Sequence, residues 1–89
     1  MNVAWQLVLA KEFERSIRKL DKPDIRRIKT YLDQVVQLDN PKDLGKELTA
    51  DKVGLWRYRV GNFRVLVKFE DQQMQVIALD VGHRSTIYR

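Results

Sequence analysis

Cysteine is absent from this 89-residue chain, so neither a disulfide framework nor a thiolate metal site can form. Histidine occurs once, as His83, which excludes a multi-histidine metal centre. No apolar run approaches the roughly twenty residues needed to span a bilayer. The first residues do not show a charged start followed by an apolar stretch, so no secretory signal is expected and a cytoplasmic location is the default. There is no repeat, low-complexity tract or linker. One domain over 1–89 is expected, large enough for a single core but with a thin stability margin.

A further absence is local. The stretch 54–69 contains no aspartate or glutamate, although it holds Arg57, Arg59, Arg64 and Lys68. The whole chain is basic as well, with a formal net charge of +5. A small basic domain of this kind meets nucleic acid or an acidic protein more readily than a neutral metabolite.

The stretch 55–69, LWRYRVGNFRVLVKF, reads as a β-hairpin. Runs of Trp, Tyr, Phe, Val and Leu flank Gly61-Asn62, a turn-forming pair between alternating segments. If the turn has two residues, Val60 pairs with Phe63, Arg59 lies opposite Arg64 and Arg57 opposite Leu66. Side chains alternate along a strand. Trp56, Tyr58, Val60, Phe63, Val65, Val67 and Phe69 therefore share a core face, and Arg57, Arg59, Arg64 and Lys68 the other. Like charges directly across a strand pair are destabilising. Two surface arginines on an open sheet are the plain reading of Arg59 and Arg64. Their direct opposition without a local counter-charge points instead to a bound anion, since guanidinium groups grip phosphate through forked, charge-assisted hydrogen bonds.

The rest of the chain supplies layers for this hairpin. Residues 2–9 alternate and predict a first strand, apolar enough to be central in a sheet. Phe13, Ile17 and Leu20 recur at helical spacing and predict a helix over 10–20. Pro23 and Asp24 restart a helix that runs to about 38, with Ile25, Ile28, Leu32, Val35 and Val36 on one stripe. Arg26, Arg27 and Lys29 fall on its outer face, where they are either solvated or touch an RNA backbone. Residues 39–53 predict a polar loop with one short helical turn, anchored by Leu44 and Leu48. After the hairpin, 70–73 predict a turn and 74–81 a last strand. With Phe69 paired to Met74, Val76 and Ala78 would face the core, while Leu79, Val81 and His83 would follow the arginine side. The predicted order is β-α-α-β-β-β, an α+β fold with a helical hairpin packed on an antiparallel sheet.

The tail adds chemistry to that face. His83 is of the residue type that exchanges protons near neutrality. It can equally be a lone histidine after a strand end, with no role. Arg84 supplies a cation, and Tyr88 a phenol that arginines would acidify or that could stack on a base. A proton-transfer group, cations and a phenol beside an arginine face form a set able to cleave a phosphodiester. Glu47 and Asp51, in the loop before the hairpin, are weaker candidates for a base, and Asp80 reads as structural. Trp5 and Trp56 read as core or rim aromatics.

Leu48, the run 54–65 (GLWRYRVGNFRV), Val81-Gly82-His83-Arg84 and Ile87-Tyr88 together resemble the RelE/ParE superfamily of bacterial and archaeal type II toxins. The likeness extends over essentially the whole chain. It implies a microbial-ribonuclease-like fold and a cognate antitoxin, RelB-like, acidic and folding on contact. In the RelE branch it implies an endoribonuclease that cuts messenger RNA in the ribosomal A site, with no metal and no small-molecule cofactor. Arg59, Arg64, His83, Arg84 and Tyr88 then stand at catalytic positions, and Arg57, Arg26, Arg27 and Lys68 at RNA-binding ones. Relatives often carry lysine at the places of Arg57 and Arg59, which favours charge stabilisation over proton transfer there. The step from Arg84 to Tyr88 is shorter than in the best-known member. The ParE branch, which poisons DNA gyrase and cuts no RNA, is the alternative; it tends to lack the full cationic and tyrosine set.

Overall fold

The hairpin forms around a two-residue turn. Val60 faces Phe63, Arg59 faces Arg64, Arg57 faces Leu66 and Trp56 faces Val67. Gly61 takes φ +59°, whereas Asn62 does not enter the positive-φ region. Positive φ at the first central residue alone is the type II′ pattern, whose twist matches that of the flanking strands. A Cβ on Gly61 would also lie 2.9 Å from Nη1 of Arg27, although that flexible side chain can move aside. Gly61→Ala should therefore cost about 1–2 kcal/mol, mainly through the left-handed backbone, as read by chemical denaturation. An unchanged midpoint would show that the turn relaxes to another type.

The computed structural model describes residues 4–48 and 54–83. In chain order these form β1 (Gln6–Leu9), α1 (Lys11–Ile17), α2 (Lys22–Val35), a 3₁₀ turn (Pro41–Leu44), β2 (Lys46–Glu47), β3 (Trp56–Val60), β4 (Phe63–Glu70) and β5 (Gln75–His83). The sheet has five strands in the order β1-β5-β4-β3-β2. The α+β class and the helical pair packed on a sheet are as predicted, and the helical turn expected in the 39–53 segment is the one at Pro41–Leu44.

The sheet itself departs from expectation in four respects. It is mixed: β1 runs parallel to β5, pairing Leu7 with Val76 and Leu9 with Ala78, and the remaining pairs are antiparallel. β1 is an edge strand rather than a central one, which leaves Val8 37% exposed despite its apolar character. The segment predicted as loop contributes β2, a strand too short for alternation to reveal. Finally, Phe69 pairs with Val76 rather than Met74, because the turn extends through Met74, which adopts φ +54°.

A bulge then reverses the facing of β5. Val67 pairs with Ala78 but Leu66 with Asp80, so Leu79 is the extra residue. Val81 consequently pairs with Val65 and is buried, not on the arginine side as predicted.

Both helices cover one face of the sheet. Phe13 and Ile17 from α1 and Ile28, Leu32 and Val35 from α2 join Tyr58, Val60, Phe63, Val65, Val67, Val76, Ala78 and Val81 in a single core. These are the stripes that helical spacing and strand alternation single out. Asp80 ties α1 to the bulge: its carboxylate accepts from the Ser16 hydroxyl and from the Val81 N–H. Tyr58 donates to the Pro41 carbonyl and so anchors the 3₁₀ turn to β3. Burial pushes the phenol of Tyr58 well above the ordinary tyrosine range, with Tyr31 beside it adding to the effect. Burial likewise raises Tyr31.

Candidate active site

The sheet face opposite the helices carries the cations. Register places Arg57, Arg59, Arg64 and Lys68 on it, since their neighbours Tyr58, Val60, Val65 and Val67 point into the core. Arg59 is exposed and Arg64 half-buried. The Val60–Phe63 pair next to the two-residue turn is hydrogen-bonded, so the following Arg59–Arg64 pair is of the non-hydrogen-bonded kind. Side chains approach more closely in such pairs, with Cα atoms about 4.5 Å apart. The hairpin thus brings its arginines to the closest spacing that an antiparallel ladder allows.

Lys46 extends this face. It pairs with Arg57 through β2 and lies on the same side. Sequence reasoning missed it because two residues carry no period; the one available signal was a lysine shortly before the hairpin.

The acids are held elsewhere. Asp80 faces Leu66 by register, but its carboxylate is engaged by Ser16 of α1. Glu70 lies at the far end of β4, opposite Gln75. It is about 20 Å along the strand from Arg64 at roughly 3.3 Å per residue. Glu47 pairs with Trp56, on the core side of the ladder and not with the arginines. Among the described residues, the centre of the open face therefore presents a cationic group around Leu66 with no carboxylate directed at it.

His83 is placed differently from expectation. It pairs with Phe63, and its ring centroid lies 4.6 Å from that of Phe63 at an interplanar angle of 40°. It therefore sits on the core side of the sheet, across the strand from Arg64. The bulge that buries Val81 is the cause, because one extra residue shifts every later side chain to the other face. His83 still ends β5 at the same edge of the sheet as the arginine pair, since Gly82 faces Arg64.

Arg26 and Arg27 stand apart from this face, on the helical side. With Pro23, Thr30, Tyr31 and Gln34 they line a shallow groove of about 380 Å³ along α2. Arg27 reaches the hairpin turn, as its approach to Gly61 shows. Arg84 and Tyr88 lie outside the described residues, as does Asp51. No group of three or more His, Cys, Asp or Glu side chains placed to hold a metal ion occurs among the described residues. No described helix is long and apolar enough to cross a membrane.

The sequence and fold have clear relatives. The pattern of the ParE toxin of type II toxin–antitoxin systems, parDE, matches residues 7–88. Toxin RelG of Mycobacterium tuberculosis is 37% identical over 49 residues, 55% of this chain and 56% of that protein. Toxin RelE of the same organism is 38% identical over 52 residues, 58% of this chain and 54% of that protein. The chain thus spans about half the length of these curated relatives. The crystal structure of the toxin–antitoxin complex RelBE2 from Mycobacterium tuberculosis superposes with a TM-score of 0.72 at 26% identity, covering 92% of this chain and 100% of that one. A helical pair on a sheet with an arginine-paired hairpin, matched over nearly its full length, makes this chain a member of the RelE/ParE superfamily of type II toxins.

Proposed function

We propose that this toxin is a metal-independent, ribosome-dependent endoribonuclease that cuts messenger RNA in the A site. The direct opposition of Arg59 and Arg64 on a face with no carboxylate aimed at it carries the reading. In the reaction, the 2′-oxygen of one nucleotide attacks the adjacent phosphorus and gives up its proton to a base. The P–O5′ bond breaks, and the leaving 5′-oxygen takes a proton from an acid. The products end in a 2′,3′-cyclic phosphate and a 5′-hydroxyl.

Arg59 and Arg64 hold the negative charge that builds on the phosphate, the electrostatic contribution that is often the largest in such reactions. Arg84 joins them from the tail. Arg57 and Lys68 flank the same face and bind neighbouring phosphates. Arg26 and Arg27 provide a second basic surface on α2 for ribosomal or messenger RNA backbone. His83 and Tyr88 are the proton-transfer groups. Because the His83 ring lies with Phe63 across the strand from Arg64, proton transfer at the phosphate falls first to Tyr88. Tyr88→Phe is therefore expected to slow cleavage by about 10²–10⁴-fold, the usual worth of a positioned acid or base. His83→Gln should cost less; the reverse order in single-turnover assays on programmed ribosomes would exchange their roles.

The partner in this reading is a RelB-like antitoxin with an acidic segment that orders on the basic toxin. The related Mycobacterium tuberculosis structure is itself a toxin–antitoxin complex.

A gyrase-directed toxin without nuclease activity is the second reading, favoured by the ParE description of the matched family. Inducible expression of the chain alone separates the two. Primer extension should find breaks in translated messages that vanish when initiation is blocked. Intact messages with chromosome breaks would establish the gyrase reading instead.

A further inference from the structure

Gly82 sits inside β5, where glycine weakens a strand by about 0.5–1 kcal/mol relative to alanine. The usual reasons for tolerating that cost do not apply. Gly54 and Gly61 are the described glycines with positive φ, so Gly82 has a backbone that other residues adopt readily. The bulge is not at Gly82: the extra residue is Leu79, and pairing runs regularly from Leu66–Asp80 through Val65–Val81 and Arg64–Gly82 to Phe63–His83. Core packing gives no reason either. Val81 is buried and His83 lies with Phe63, so a side chain at 82 would project to the opposite, open face.

On that face Gly82 is directly beside Arg64, which has Arg59 on its other side. The row does not continue across the sheet, because β1 stops at Leu9, opposite Ala78. The result is a notch flanked by paired guanidinium-bearing residues. A side chain at 82 would place its Cβ about 5 Å from that of Arg64, within the space that an anion against that arginine must occupy.

We propose that Gly82 is a spacing residue that keeps this notch open for a phosphodiester group of an RNA strand, held by Arg64 with Arg59 alongside. The inference rests on the reading of this face as a phosphate site given above.

The test uses the full chain with Gly82→Ala and Gly82→Val. Three quantities are measured: melting temperature, affinity for a labelled 2′-O-methyl RNA oligonucleotide that cannot be cut, and message cleavage on ribosomes. Valine is favoured in strands, so Gly82→Val should melt at or above the parent temperature. It should nevertheless bind the oligonucleotide at least 10-fold more weakly and cleave correspondingly less, with Gly82→Ala in between. Unchanged binding in Gly82→Val overturns the proposal. A fall in melting temperature that tracks the loss of binding through both variants also overturns it, since packing would then explain the glycine. If the parent binds the oligonucleotide but cuts no message, the nuclease reading fails and the binding series alone decides the role of Gly82. If the parent binds no RNA, both fall.

Discussion

Arg64→Ala should reduce message cleavage by about 10²–10³-fold, the loss seen when one preorganised donor is removed from a developing anion. Arg64 stands between Arg59 on β3 and Gly82 on β5, at the centre of the row that ends the open face. Arg64→Lys should recover only part of the activity. A lysine keeps the charge, but it loses the planar fork that binds two phosphate oxygens together. The melting temperature of either variant should stay within about 4 °C of the parent, since substitutions on an open face usually change stability by about 0.5 kcal/mol. Cleavage mapped by primer extension, alongside a thermal melt of each protein, checks both halves. Full activity in Arg64→Ala would remove the central assignment. Lost activity accompanied by a collapsed melt would mark Arg64 as structural.

Tyr58→Ala should have the opposite signature, a large loss of stability with activity lost only through unfolding. Tyr58 immediately precedes Arg59 but points into the core, where it is fully buried. Its ring meets that of Tyr31 edge-on at 5.7 Å, and its hydroxyl donates to the Pro41 carbonyl. Removing a buried aromatic ring costs about 3–5 kcal/mol. Small domains have a total stability of about 5–15 kcal/mol, so much of the margin would go. Tyr58→Phe keeps the ring and should cost only about 1–2 kcal/mol, for the lost hydrogen bond and the carbonyl left behind.

The same residue predicts alkaline behaviour. In the folded chain burial raises the Tyr58 phenol above its ordinary value near 10. Above that value the unfolded chain loses the proton while the folded chain keeps it. The unfolded state then binds fewer protons, so stability must fall as pH rises through and beyond about 10. Tyr58→Phe should flatten that fall, leaving the smaller part due to Tyr31, whose phenol burial also raises. Denaturation midpoints measured from neutrality into this alkaline range test it; an equally steep fall in Tyr58→Phe would place the effect elsewhere.

The contrast between Tyr58 and Arg59 shows what was legible before any coordinates. Strand alternation separates adjacent residues onto opposite faces, and the Gly61-Asn62 turn sets which residues meet across the hairpin. Both are local properties, so the pairing of Arg59 with Arg64 and the buried set from Tyr58 to Val67 follow from the chain itself. The helical stripes of Phe13 and Ile17, and of Ile28, Leu32 and Val35, are legible for the same reason: the spacing repeats within a few residues.

His83 marks where such reasoning stops. Its side depends on the extra residue Leu79, and the bulge is stabilised by a bond from Asp80 to Ser16, residues distant in sequence and joined only when α1 packs on β5. The parallel pairing of β1 with β5 is likewise a contact between the two ends of the chain, and β2 is too short to carry any period. Amino-acid order by itself determined the hairpin, its facing arginines and the apolar stripes, because each rests on a repeat of two or of about 3.6 residues. Tertiary structure alone decided the parity of the last strand, the edge position of the first and the notch beside Arg64. Those depend on which distant segments pair and on where the ladder slips by one residue.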